Sequence, residues 1–518
     1  MAEPYKVTYA TLTADNEDLH TAYEQGIEKA RGWLGEEIAA PGDPNPSEPI
    51  EVHSPADPSV VVATVRPAST EAIDTAIAEA KQAGKAWAAT PWQERVRILR
   101  DLADTISEQA NELAALMTIE VGKNRLEALG DVEESAVFFR YYADQVENNG
   151  GFDAPMDSLS DKEKTRSVLK PFGVWGVIGP FNFPMALVAG PAAAALVAGN
   201  AVVVKPSVQG THVAWRLHQL YLESELPTGL VQFLPGGDEV GKAIVAHDGI
   251  DGLTFTGSYA GGMAVAQAFR GAYPKPVVTE MGGKNPTIVT ANADLDLAAS
   301  GIARSIAGAS GQKCSACSRI YVDPAVHDEL VEKLSAALDN FQVADPLERT
   351  AFLGPVIDQA AVDRYRAAVE HAEQAGGTIA AGGEVLQGQD GYPGYFVRPT
   401  LVSGLPSDDK LFTDELFVPF AVVAPVDSLD EALDLANDTV FGLTAGFFGA
   451  EDEIDTFLDR IEAGVVYVNR AAGATTGAWP GVQPFGGWKG SGSSGKAGGG
   501  LHYVQLFMRE QSQTVVSG

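Results

Sequence analysis

From Ala201 onward the chain repeats one unit: an apolar run, a turn, an amphipathic run. AVVVKPS at 201 is β-branched and ends in Lys and Pro, and HVAWRLHQLYLES follows with helical spacing. LVQFLPGG at 230 meets glycines before EVGKAIVAH, and GLTFTGS at 252 leads through a glycine-bounded turn into GMAVAQAFRGA. Strand, glycine turn and helix in succession specify a parallel α/β sheet, because parallel strands need a crossover between them. Ligands of such sheets bind outside the carboxyl ends of the strands. The second half alternates again, through KNPTIVT at 284, RIYVD at 319 and AGVVYVNR at 463.

One stretch competes with a soluble reading. MALVAGPAAAALVAGNAVVV, Met185 to Val204, is long enough to cross a bilayer. Pro191 is expected to break a helix interior, and Gly199-Asn200 reads as a helix end before a strand. A buried Ala-rich helix, a turn and a buried strand are therefore expected. The N-terminus has neither a basic nor an apolar signal region, and two cysteines cannot build a disulfide scaffold, so a reducing, cytoplasmic setting is expected. The net charge of −33 argues against nonspecific nucleic-acid binding, since phosphates would be repelled. A surface this acidic suits high salt and suggests a halophilic source.

Three sites can carry chemistry. Gly257-Ser-Tyr-Ala-Gly-Gly262 lies between a strand and a helix, where helix amides can face a phosphate, and Lys205 ends a strand of the same sheet. In Glu280-Met-Gly-Gly-Lys-Asn285 a carboxylate is followed by two glycines, which lets backbone or ligand come close. Cys314 and Cys317, in GQKCSACSR, are the only cysteines. They read as a redox dithiol, two metal ligands, two inert buried thiols, or one nucleophile. No histidine spacing completes a metal site. The charge of Lys313 would lower the pKa of Cys314.

These residues resemble the aldehyde dehydrogenase superfamily over nearly the full length. PFNFP at 180, KPS at 205, FTGS at 255, EMGGKNP at 280, GQKCSACSR at 311, ELFVP at 415 and QPFGG at 483 occur in the family's order. The resemblance implies that fold: a Rossmann-like cofactor domain (residues 1–153 and 175–281), an α/β catalytic domain (282–482) and an oligomerisation arm and tail (154–174 and 483–518). It implies that Cys314 attacks an aldehyde, that Asn182 and the Cys314 backbone N–H hold the oxyanion, and that Glu280 activates water against the thioester. Lys205, Ser207, Gly257, Ser258, Gly262, Glu415 and Phe417 would bind the cofactor. Within the superfamily the nucleophile segment and the stretch from Thr476 are most similar to 1-pyrroline-5-carboxylate dehydrogenases, which oxidise glutamate γ-semialdehyde in proline catabolism. Lys313, Ser315, Gly477 and Ala478 would then surround the amino-acid end of the substrate, with Phe485 and Phe183 on its aliphatic part.

Two departures leave alternatives. The loop after Asn469 is longer than usual, which keeps succinate or 2-oxoglutarate semialdehyde open. Val208 stands where NAD-preferring members carry Glu, which keeps NADP open beside NAD. A redox or scaffold protein built on the C-x-x-C is the alternative of another class. The arm and tail imply a homodimer or a higher even homo-oligomer.

Overall fold

The computed structural model describes residues 14–471 and 479–517. Its cofactor sheet has five strands in the order Val277–Glu280, Gly252–Thr256, Val174–Ile178, Ala201–Lys205, Val231–Phe233, and every pairing is parallel. The valines of Ala201–Lys205 are buried, as a strand covered by helices on both faces requires. Because all five run one way, Gly179, Pro206, Leu234, Gly257 and Met281 leave the sheet along one edge. The predicted cofactor motifs and Asn182 converge there.

The Ala-rich segment forms the helix Ala186–Val197, ending before Gly199, which has φ 99°. Pro191 lies inside this helix and does not end it. The expected break is absent because eleven of the twelve residues are buried, and apolar packing on every side offsets a proline cost of about 3 kcal/mol. Among the described residues no helix is long and apolar enough to cross a membrane.

The second sheet has seven strands, in the order Thr378–Ala381, Thr400–Ser403, Phe420–Pro425, Cys317–Val322, Asn285–Val289, Thr444–Phe448, Val465–Val468. Only the first pair is antiparallel. Its two central strands start at Asn285 and Cys317. Their amino ends therefore adjoin the segment Met281–Lys284, which arrives from the carboxyl end of the cofactor sheet. That junction places Glu280 and Cys314 side by side.

A third sheet stands apart. Met508–Val516 pairs antiparallel with Glu163–Pro171 along nine residues, and Asp153–Pro155 pairs on the other side. Asn200 ties the tail to the cofactor sheet by donating from Nδ2 to the Phe507 carbonyl at 2.9 Å. Earlier in the expected tail, Trp488–Lys489 pairs with Phe441–Gly442, and Gly492 bridges to Glu280.

Candidate active site

Cys314 sits in the turn ahead of Cys317–Val322, and strain in the preceding backbone fixes it there. Ala309 (φ 47°), Ser310 (φ 54°) and Gly311 (φ 68°) are successive left-handed residues. The two non-glycine positions cost about 1–3 kcal/mol each. Surrounding bonds hold them: Glu127 accepts from Ala309 N–H at 2.8 Å, Ser310 Oγ donates to Gly354 O at 2.8 Å, and Gln312 Oε1 accepts from Ile357 N–H at 2.8 Å. Asn285 Nδ2 donates to the Cys314 carbonyl at 2.6 Å and to the Ala316 carbonyl at 2.9 Å.

The two cysteines differ. Cys314 is half-buried, and the backbone N–H groups of Cys314 and Ser315 face its sulfur. Cys317 is buried, accepts from Thr287 Oγ1 at 3.3 Å and donates to the Arg319 carbonyl. Of the two, Cys314 is the more exposed. The expected help from Lys313 does not materialise. Burial, then the charges of Glu415 and Glu280, push the Cys314 thiol up to about 12. The Lys313 ammonium is engaged instead by Glu127, 3.1 Å away.

Glu280 ends the strand Val277–Glu280. Burial pushes its carboxyl up to about 8, against one stabilising bond from the Gly487 N–H, and its Oε2 has no partner among the described residues. A carboxylate with an unused buried oxygen and a pKa near neutrality is suited to general-base work. Asn182, just past the end of the strand Val174–Ile178, is buried and donates from Nδ2 to the Gln312 carbonyl at 2.9 Å. That bond holds the amide against the loop that carries Cys314 and uses one of its two N–H groups.

The glycines after Glu280 have a visible purpose. Gly283 N–H donates to Glu415 Oε1 at 2.8 Å, and a Cβ on Gly282 would overlap the Glu415 carboxylate. Burial raises the pKa of Glu415. Phe417 adopts φ 56° and meets Phe181 edge to face, with centroids 5.9 Å apart.

The remaining cofactor candidates line the same edge. Ser258 caps the helix Tyr259–Ala268 by accepting from Gly261 N–H at 3.2 Å, Gly257 N–H donates to Glu280 O at 3.1 Å, and a Cβ on Gly262 would overlap Met281. Lys205 is buried; its Nζ donates to Pro206 O at 3.0 Å, and burial lowers it to about 8. Ser207 Oγ donates to Gln209 Oε1 at 3.4 Å. The edge fits a dinucleotide: open helix amides, a lysine and a glycine turn share one rim.

A cavity of about 630 Å³ opens beside Gly308 and Lys313, in the loop ahead of Cys314. Lys313 and Phe183 line it, as does Trp479, next to the segment that holds Gly477 and Ala478; those two lie outside the described residues. Ser315 is buried with its carbonyl accepting from Thr444 Oγ1 at 3.2 Å, and Phe485 pairs with Gly498; neither lines this cavity.

Four charged residues here were not anticipated: Lys123, Glu127, Asp131 and Glu134. Lys123 pairs with Asp131 at 2.9 Å, both fully buried, and its Nζ lies 3.5 Å from the Phe183 ring centroid. Asp131 also accepts from Ala186 N–H at 2.7 Å. Glu134 has no hydrogen-bond partner among the described residues, and burial followed by the Asp131 charge pushes it up to about 8. The available signal was Asp131 and Glu134 three residues apart, hence on one helix face.

The sequence pattern of the aldehyde dehydrogenase family matches residues 43–512. The chain belongs to the aldehyde dehydrogenase family. It is an enzyme of aldehyde oxidation. A 1-pyrroline-5-carboxylate dehydrogenase from Geobacillus sp. is 34% identical over 529 residues, covering 99% of each chain. An alpha-ketoglutaric semialdehyde dehydrogenase from Bacillus subtilis is 34% identical over 456 residues, 87% of this chain and 91% of the relative. The solved 1-pyrroline-5-carboxylate dehydrogenase from Thermus with bound NAD superposes with a TM-score of 0.92 at 31% identity, covering 100% of both chains.

Proposed function

We propose that this aldehyde dehydrogenase oxidises glutamate γ-semialdehyde, the open form of 1-pyrroline-5-carboxylate, to glutamate with NAD. The observation that carries the substrate is the cavity lined by the lysine Lys313, by Phe183 and by the acidic side chains Glu127, Asp131 and Glu134. An α-amino acid end presents a carboxylate, which meets the Lys313 ammonium, and an ammonium, whose charge would draw Glu134 to its ionised form. The names of full-length relatives support the same reading. The similarity to the Bacillus subtilis enzyme favours a second reading, 2-oxoglutarate semialdehyde. That substrate has no ammonium for Glu134.

In the proposed mechanism the Cys314 thiolate adds to the aldehyde carbon. The oxyanion is held by the second N–H of Asn182 and the Cys314 backbone N–H. NAD, when bound, supplies the hydride acceptor and a cationic ring that offsets the acidic field of Glu280 and Glu415 on the thiol. Loss of hydride from the carbon leaves a thioester on Cys314. Glu280 takes a proton from water, the hydroxide adds, and the thiolate departs, giving the carboxylate. Lys205, Ser207, Gly257, Ser258 and Gly262 hold the dinucleotide; Glu415 and Phe417 position its reactive end.

The cofactor domain is assigned to 1–153 and 175–281, the catalytic domain to 282–482, and the arm and tail to 154–174 and 483–518. Met508–Val516 is the outer strand of its sheet, with Val515 and Val516 each 64% exposed. An outer strand of nine residues, mostly exposed and without a neighbour on one side among the described residues, invites pairing, and a second copy in a homodimer or higher even oligomer is the proposed cover. The mechanism needs a reduced Cys314, which fits the cytoplasm. The charge of −33 supports a high-salt setting.

The test is initial rate by nicotinamide absorbance, in high salt, on 1-pyrroline-5-carboxylate, succinate semialdehyde and 2-oxoglutarate semialdehyde. A kcat/KM at least tenfold higher on 1-pyrroline-5-carboxylate is expected, about the discrimination one charge-assisted bond gives. Equal or faster turnover of 2-oxoglutarate semialdehyde would overturn the substrate assignment and leave the chemistry intact.

A further inference from the structure

The cofactor rim contains a carboxylate that neither the mechanism nor the fold uses. Val208, three residues past Lys205, has no polar side-chain atom and packs on the apolar core. The rim position beside Lys205 therefore needs another acceptor for ribose hydroxyls. The helix Asp238–Ala246 begins next to it, after Gly236-Gly237. Its Gly241 lies against Lys205: a Cβ there would stand 3.7 Å from both Cδ and Cε of the lysine. Asp238 is one turn earlier, at the i−3 position, and so lies on that same face. The neighbouring Glu239 is occupied by Lys242 at 2.7 Å, whereas Asp238 forms no hydrogen bond or ion pair among the described residues. The charge of Asp238 also favours the protonated form of Lys205, which places the two within electrostatic reach.

We propose that Asp238 is a specificity-determining residue that accepts from the adenosine ribose diol and excludes a 2′-phosphate, so that the enzyme selects NAD over NADP despite Val208. This rests on the cofactor reading given under Proposed function. The physics is the same as that of any ribose-binding carboxylate: it accepts two hydroxyl protons and repels a phosphate dianion. Asp238 reaches the site from a different element than the Lys205 strand, which is why the residues after Lys205 gave no sign of it. Its exposure makes the repulsion sensitive to salt.

The test measures binding and needs no turnover. Full-length wild type, Asp238→Asn, Asp238→Ala and Glu239→Gln are titrated with NAD and with NADP by calorimetry at low salt, without aldehyde. Wild type is expected to bind NAD at least tenfold more tightly than NADP. Like charges that face each other at an exposed surface are worth about tenfold in affinity, so both Asp238 variants should lower the preference by that factor, chiefly by tightening NADP. Glu239→Gln should keep the wild-type ratio, and raising the salt should erode it. A ratio in Asp238→Asn within twofold of wild type overturns the proposal, as does a wild type without preference. A wild type that binds neither dinucleotide overturns the cofactor reading itself, and the proposal with it.

Discussion

On the proposed mechanism, thioester hydrolysis should rise with pH through about 8, because Glu280 must be deprotonated to take a proton from water and burial pushes its carboxyl up to about 8. The sign follows from the raised pKa: the inactive protonated form dominates below it. Such a group is about one-eleventh deprotonated at pH 7 and about ten-elevenths at pH 9, a gain of about tenfold. Glu280→Gln removes the base while leaving hydride transfer from the hemithioacetal untouched. Hydrolysis should then fall by about 10²–10⁴-fold and lose its pH dependence. Rapid quench after one turnover, with the thioester counted by mass spectrometry, separates this step from the earlier ones. The variant should show a burst of nicotinamide reduction of one per site, then near silence. A flat wild-type profile, or a variant that turns over steadily, would refute the assignment of Glu280 as base.

Three further outcomes are expected. Cys314→Ser should abolish oxidation while Cys317→Ser nearly spares it, since Cys314 is the more exposed of the two; equal loss measured by initial rates would favour the dithiol reading. Asn182→Ala should lower kcat by about 10²–10³-fold with little change in NAD affinity, as removal of one oxyanion donor does. Gly282→Ala should raise the KM for NAD and lower thermal stability, because the new methyl overlaps the Glu415 carboxylate; unchanged kinetics and melting would show that this contact is not needed.

The strand ends of the cofactor sheet were legible because each announces itself locally: a β-branched run, then Pro or Gly, then a helix. Glu280 and Cys314 were legible as family motifs, and the strands that open on either side explain why they meet. The partners of these motifs were not. Glu415 reaches Gly283 across 132 positions, and no local pattern encodes that contact. Lys123, Glu127, Asp131 and Glu134 drew no expectation from the sequence, yet Lys123, Asp131 and Glu134 are buried. The same blindness misjudged Lys313. Adjacency to Cys314 suggested an activating charge, but Glu127, which stands 186 positions away, engages it. Pro191 was misjudged for the opposite reason, since local propensity was overridden by burial on every face.

The central claim is that one cysteine carries the substrate as a thioester. Peptide mapping of quenched Glu280→Gln enzyme, after mixing with NAD and 1-pyrroline-5-carboxylate, tests it most directly. The account predicts a glutamyl adduct on the peptide at Cys314, dependent on NAD and absent from Cys317. Nicotinamide reduction with no adduct, or an adduct on Cys317, would contradict it.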